Sequence, residues 1–365
     1  MIESRTETVR RLFEGAIRSG LAPGMVGGWQ TIEDQDPQVV AAGRAVVGPA
    51  FEPMTERTWF DLASLTKPLV VGTLTLLAMR ENTLTPDTTA ADVLTETLGF
   101  PVGGLSVRQL LSHSSGLPAW EPIYALADGN PESALKALRG LKVEQPGAHV
   151  VYSCPGFILL GAMLERLGGE DLSRIFLDRV VKPLGIEDEV GYRPDLSLPR
   201  AGGAGRPAAE ELLLSQRGVA SDLIPPCGPG KPDDGNSRFL DGVAGNAGLF
   251  GTIEGVLMLA RIYLGVGEFL TSDEIDRATS DHTPGREQAR GYGWQLASSP
   301  GCSAGPALDP SAFGHTGFTG TSLWIDPTRG VAIALLTNRV HPGHRPTDLH
   351  PLRRRFHHLV VNSNH

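Results

Sequence analysis

Apolar positions recur at helical spacing over residues 5–19, where Val9, Leu12, Phe13, Ala16 and Ile17 fall on one face. An amphipathic helix is expected there, closed by Ala22-Pro23-Gly24. The pattern then changes: Met25–Gln30, Val39–Val47 and Thr58–Leu62 are short, β-prone runs that read as strands. Helical patterns dominate from Lys67 to about Leu184, broken by proline and glycine. The stretch 191–245 is the least regular, with Pro225-Pro226-Cys227-Gly228-Pro229-Gly230 inside it; it predicts a long surface excursion, with a lid as the alternative. Strand patterns return at Tyr292–Leu296, Thr319–Ile325 and Val331–Thr337, and a last helix is expected over about Leu349–Val361. Sheet signals at both ends with helices between predict an α+β chain. Residues 1–62 and 288–365 are expected to form a sheet domain with terminal helices, and 63–287 a mostly helical domain.

Composition narrows the function classes. The 365 residues carry a net charge of −9, which argues against a nucleic-acid partner because phosphate neutralisation needs a basic face. Leu69–Met79, the longest apolar stretch, has about half of the roughly 20 residues that span a bilayer, so no membrane span is expected. Acids in Met1-Ile2-Glu3-Ser4-Arg5-Thr6-Glu7 do not match a signal peptide, and a cytoplasmic location is expected. Cys154, Cys227 and Cys302 are too few and too scattered for a disulfide framework or a zinc site; no metal and no cofactor are expected. The late histidines His341, His344, His350, His357, His358 and His365 lack tetrahedral ligand spacing and read as a solvated tail.

The chemistry begins with a Ser-x-x-Lys pattern, present at Ser64-Leu65-Thr66-Lys67 and at Ser133-Ala134-Leu135-Lys136. Chance supplies about one such match in a chain of this length, so context has to choose between them. Ser133 opens an ordinary surface helix. Ser64 leads into Lys67–Met79, apolar on nearly every side, which fits a helix buried in the middle of a domain. Positions i and i+3 share a helix face, so the Lys67 amine can approach the Ser64 hydroxyl. The helix amino terminus favours negative charge at the serine, and partial desolvation is expected to lower the lysine pKa. The competing reading is Ser64 as a helix cap with Lys67 reaching water.

Three further stretches accompany it. Arg108–Pro118 holds Ser112-His113-Ser114-Ser115-Gly116, Val150–Phe157 places Tyr152 on a turn before a helix, and Phe313–Gly320 is a glycine-spaced strand containing His315-Thr316-Gly317. With these, the chain resembles the serine β-lactamase and penicillin-binding-protein superfamily, nearest its class C-like branch of esterases, D-aminopeptidases and DD-peptidases. The resemblance runs from about Leu21 to Asn338 and includes Gly242–Gly251. It implies an α/β sandwich, an antiparallel sheet flanked by helices, with the active site in a cleft against the helical domain. It implies Ser64 as the acylated nucleophile, Lys67 as its proton partner, and Tyr152, with a lowered pKa, as the base. His315, Thr316 and Gly317 would assist or bind substrate, and the backbone N–H groups of Ser64 and Phe318 would form the oxyanion hole. For His113 a structural hydrogen bond is expected.

Two departures qualify the resemblance. Cys154 stands where the family usually has asparagine, and a thiol is a poor partner for a substrate amide. Histidine rather than lysine at position 315 weakens the permanent positive charge. Both favour a serine hydrolase of esterase type, working on a small-molecule or peptide-like acyl substrate, over an efficient β-lactamase or DD-peptidase. A catalytically idle ligand sensor is the alternative from another class, and Cys154 as a nucleophile lacks any partner motif. Sequence gives no oligomeric state.

Overall fold

The computed structural model describes residues 4–48, 52–203, 214, 216–218, 223, 227–228, 230–343 and 347–362. Pro225, Pro226, Pro229, His344 and His365 lie outside the described residues, as does most of 204–226, on which the choice between excursion and lid depends.

Helix Arg5–Arg18 opens the chain, capped by Ser4, whose hydroxyl accepts from the Glu7 N–H, and it buries Val9, Phe13 and Ala16. It leads into β1 (Gly24–Thr31) and β2 (Gln38–Val46). The short strands β3 (Glu52–Pro53), β4 (Phe60–Asp61), β5 (Val190–Tyr192), β6 (Leu249–Gly251) and β7 (Gln295–Leu296) follow. Three more close the chain's sheet: β8 (Phe313–Thr316), β9 (Ser322–Asp326) and β10 (Val331–Thr337). Seven strands make one sheet in the order β3-β2-β1-β10-β9-β8-β7, with every neighbouring pair antiparallel.

The interior strand β1 shows why helices cover both faces. A Cβ on Gly27 would meet Phe13 at 2.4 Å, and one on Gly28 would meet Ile253 at 2.7 Å. Successive residues of a strand point to opposite faces, so these two glycines let a helix approach closely on each side. Met25, Trp29, Ile333 and Leu335 pack with Phe13 and Phe356 on one face, beneath the first helix and the last, His350–Asn362. Val26, Ala332, Ala334 and Leu336 join the core on the other, which includes Ile253–Arg261.

Strand limits differ from the sequence pattern near the site. The expected run Thr319–Ile325 begins only at Ser322, and β8 stops at Thr316. Between them 317–321 is a turn, in which the Gly317 N–H donates to the Thr321 carbonyl at 2.8 Å and Gly320 takes φ +101°. Of Tyr292–Leu296 only Gln295–Leu296 is strand. β4 leaves the main sheet and pairs with β6 in a three-stranded sheet ordered β4-β6-β5. Two of the late histidines, His341 and His357, are not solvated, whereas His358 is exposed. His341 is buried and its Nε2 accepts from the Val47 N–H at 2.9 Å; His357 is buried with Nδ1 2.8 Å from the Ala304 carbonyl. The last helix turns that face onto the sheet, which is why hydrophilic composition misled there. Among the described residues no helix is long and apolar enough to cross a membrane.

Candidate active site

Ser64 lies on a single tight turn, Ala63–Leu65, directly after β4 and before the buried helix Lys67–Arg80. The first part of that helix, Lys67–Gly72, is π-helical, and every residue from Lys67 to Ala78 is buried. The residue before the serine, Ala63, has φ +48°, a conformation unusual for a side-chain-bearing residue. Its neighbours over-determine it. The Asp61 carboxylate accepts from the Ala63 N–H at 2.8 Å, and the Thr66 hydroxyl donates to the Ala63 carbonyl at 2.6 Å. Local strain of this kind persists only where surrounding bonds fix it.

Lys67 is 0% exposed, and its ammonium donates to Ser64 Oγ at 3.1 Å and to the Asn246 carbonyl at 2.8 Å. Burial pulls its pKa down, but the negative charge that Cys154 and Tyr152 would carry when ionised, with that of Asp234, outweighs burial and holds it above the ordinary value. The expected lowering of the lysine is therefore reversed. Tyr152 is likewise pushed up rather than lowered. Burial dominates, Cys154 adds to it, and the facing Lys67 and Ser64 only partly counter. Its hydroxyl oxygen is buried with no partner within close hydrogen-bond distance. In the resting site the amine is charged and the phenol neutral.

The Tyr152 ring is the hub of the arrangement. Lys67 Nζ lies 4.9 Å from its centroid, the His113 ring 4.6 Å and the His315 ring 5.7 Å. His113 accepts the Ser153 N–H through Nδ1 at 3.0 Å, so its proton sits on Nε2. His315 Nδ1 faces the Thr316 carbonyl at 2.9 Å and must donate, leaving Nε2 as a bare lone pair. Burial, together with Arg290 and Lys67, holds both imidazoles well below their ordinary pKa, so neither is charged at neutral pH.

The turn after β8 is stitched to the loop that carries Ser64. Thr319 Oγ donates to the Asp61 carbonyl at 2.8 Å and Thr321 Oγ to the Leu62 carbonyl at 3.1 Å. Gly317 sits where a Cβ would meet Thr321 Oγ at 2.1 Å. Arg339 holds the Phe318 carbonyl through Nε at 3.0 Å and Nη2 at 2.8 Å, while the Phe318 ring is 38% exposed. Cys154, the first residue of helix Cys154–Gly168, has its thiol pushed up by burial and Asp234, against Lys67 and Asn246. A neutral thiol is a poor nucleophile. A cavity of about 750 Å³ opens behind this loop, lined by Phe60, Asp61, Cys227, Asp233, Thr319 and His341 among others; Ser64 and Tyr152 do not line it. The rival pair behaves as a surface helix: Ser133 precedes Ala134–Arg139 and Lys136 is exposed.

The sequence model of the Beta-lactamase family matches residues 9–357. The chain belongs to that family. A putative D-alanyl-D-alanine carboxypeptidase of Escherichia coli O157:H7 is 28% identical over 319 residues, covering 79% of this chain and 70% of that protein. An N-acetylmuramyl-L-alanine amidase of Bacillus subtilis (strain 168) is 29% identical over 253 residues, covering 65% of this chain and 56% of that protein. Among solved structures, EstCE1, a hydrolase with promiscuous acyltransferase activity, superimposes with TM-score 0.75 at 23% identity, covering 97% of this chain and 98% of its own. A class C beta-lactamase gives TM-score 0.74 at 19% identity, covering 99% and 96%. These two likenesses speak for the fold: an antiparallel sheet with helices on both faces.

Ser64, Lys67, Tyr152, Cys154 and His315 thus converge, from three separate stretches of the chain, on one cluster around the phenol ring. Two members escaped the sequence reading. Asn246 is 0% exposed with both side-chain amide atoms unpaired, and it faces Cys154. It lies inside the glycine-rich Gly242–Gly251 stretch, which was a usable signal; Gly245 there packs so closely that a Cβ would meet the Phe157 carbonyl at 2.0 Å. Arg290 stands 5.7 Å from the Tyr152 ring centroid, and no pattern in the sequence marks it.

Proposed function

We propose that this protein is a serine hydrolase that cleaves esters through an acyl-enzyme on Ser64. The observation that carries the reading is the 3.1 Å contact between Ser64 Oγ and a lysine that is wholly buried. A buried ammonium is costly unless its hydrogen bonds are met, and here the serine oxygen is one of its acceptors. Because Lys67 donates to that oxygen, the serine proton is free to be given elsewhere, and the unpartnered Tyr152 oxygen is the group facing it.

The competent state is the pair after loss of one proton, with phenolate beside ammonium. Ser64 Oγ attacks the acyl carbon while its proton passes to Tyr152. The carbonyl oxygen gains negative charge between the N–H groups of Ser64 and Phe318, and Tyr152 then protonates the leaving alcohol as the tetrahedral intermediate collapses. In the second half water gives a proton to Tyr152, attacks the ester, and Ser64 leaves with that proton. Because the resting pair is Lys67 ammonium and neutral phenol, activity rises with pH through the pair's lower apparent pKa. Esters are favoured over lactams and peptides because the position-154 thiol offers no amide to a substrate side chain and His315 offers no charge to a carboxylate.

Incubation with a fluorophosphonate followed by peptide mass spectrometry should place one adduct on Ser64. Ser64→Ala and Tyr152→Phe should each lower p-nitrophenyl butyrate turnover by at least about 10³-fold, and nitrocefin should be a poorer substrate than the ester. An adduct elsewhere, or full ester turnover by Ser64→Ala, refutes the reading.

A further inference from the structure

Arg290 is 5% exposed, yet its hydrogen bonds go to a neutral amide. Its Nε and Nη2 both turn to the Gln288 amide oxygen, Nε at 3.0 Å, and among the described residues no carboxylate forms an ion pair with it. Its backbone is fixed independently: its N–H donates to Thr283 Oγ at 2.9 Å and its carbonyl accepts from the His282 N–H at 2.8 Å. The adjacent Glu287 carboxylate is turned away, accepting from the Val150 N–H at 3.1 Å and lying 2.6 Å from His149 Nδ1. A buried cation without an acid is expensive, and a loop-fixing role already met by the backbone does not need one. What the guanidinium does face is the Tyr152 ring, at 5.7 Å.

Resting on the reading of Tyr152 as the base, we propose that Arg290 is a positioning residue whose unneutralised charge stabilises the Tyr152 phenolate. Four groups surround that ring. Lys67 comes from the buried helix, His113 from the turn after Val107–Leu111, His315 from β8, and Arg290 from the loop before β7; Cys154 adds a neutral thiol from its own helix. The two imidazoles are neutral, their tautomers fixed by the Ser153 N–H and the Thr316 carbonyl. Lys67 must keep the serine oxygen and the Asn246 carbonyl. Among the described residues Arg290 is then the one permanent charge around the phenol whose N–H groups are not committed to Ser64. Consistently, Tyr152 is the group that raises the Arg290 pKa against burial, which brings it down to about 10. The choice of a neutral amide at position 288 matters equally, because a carboxylate there would cancel the field that Tyr152 feels.

The test is the pH dependence of kcat/KM for p-nitrophenyl butyrate in Arg290→Met, Arg290→Lys, Gln288→Glu and the parent, with Tyr152→Phe as control. Removing or neutralising one charge a few ångströms from the phenol should move the rising limb to higher pH by about one unit, roughly a tenfold loss at pH 7 that vanishes at high pH. Arg290→Lys should recover most of it. Gln288→Glu is the decisive variant: it keeps every side chain in place and adds an ion pair, so a structural role for Arg290 leaves the limb still, whereas the proposal moves it. It also decides the matter if Arg290→Met fails to fold. A limb unmoved in folded Gln288→Glu, or an effect confined to KM for esters that carry a carboxylate, overturns the proposal. If Tyr152→Phe keeps the parental rate, the reading of Tyr152 itself has failed; an inactive Tyr152→Phe with an unmoved limb condemns Arg290 alone.

Discussion

Replacing Gly317 with alanine adds one methyl group at the seam between the loop that carries Ser64 and the turn after β8. On the existing backbone its Cβ would lie 2.1 Å from Thr321 Oγ, 2.9 Å from the Leu62 carbonyl and 3.3 Å from Ala63 Cβ. The nearest of these cannot swing aside cheaply, since Thr321 is fully buried and its hydroxyl is spent on Leu62 at 3.1 Å. Rotating it orphans a buried hydroxyl, which costs about 1–3 kcal/mol, and overpacking a tight site costs about the same. The turn must therefore shift, and it carries the Phe318 N–H, one of the two oxyanion donors proposed above. Loss of one oxyanion donor lowers turnover by about 10²–10³-fold. Gly317→Ala should fold, with a urea midpoint reduced by the equivalent of about 1–3 kcal/mol, and kcat for p-nitrophenyl butyrate should fall about 10²-fold with little change in KM. Thr321→Ala removes the closest atom, so the double variant should regain part of both losses. A folded Gly317→Ala with kcat near the parental value, or a double variant no better than the single one, refutes the geometry.

Two stability predictions concern buried titrating groups. Burial and the Asp233 charge push Asp61 up to about 7, so the folded protein holds a proton that the unfolded chain releases near 4, and stability falls as pH rises between those values. Asp61→Asn does not titrate, and its stability relative to the parent should improve between pH 4 and pH 8 by on the order of a few kcal/mol in denaturant titrations; a pH-independent difference refutes this. His357, pulled down to about 4 by burial, works the other way: its contribution is complete above pH 6.5 and is lost as pH falls toward 4. His357→Gln should therefore narrow its stability gap to the parent by about 2–3 kcal/mol on acidification over that window, read by chemical unfolding at each pH.

Much of the fold was legible because the signals were local. The helix Arg5–Arg18, the strands β1, β2 and β10 and the wholly buried helix after Ser64 follow from apolar periodicity within each segment. Ser64, Lys67, Tyr152 and His315 stand out as candidates because each sits in a short pattern whose residue types have a chemical reason to occur together, and the structure brings them close to one another. What stayed hidden depends on pairing at a distance. The split between β8 and β9 is set by the Gly317–Thr321 turn locking onto Leu62, hundreds of positions earlier, and no window around residue 320 contains that partner. Charge states were misjudged for the same reason. Desolvation of Lys67 was visible in its apolar neighbours, but the opposing influence of Cys154, Tyr152 and Asp234 came from residues far along the chain. Arg290 carries no pattern at all; its role lies in the acid it does not have.

Strand β1 lies between β2 and β10, so Met25 pairs with Thr337 and Thr31 with Val331. During synthesis β10 emerges from the ribosome long after β1 and β2. The middle of the sheet cannot be completed, nor Phe13 and Ile253 given a surface to settle on, until nearly all of the chain is available. Early β1 exposes an unpaired edge meanwhile, and the turn carrying Ser64 cannot gain its bonds from Thr319 and Thr321 until that segment has been made. Such a protein acquires its chemistry only when its two extremities meet, and truncation short of β10 should yield aggregate rather than a smaller working enzyme.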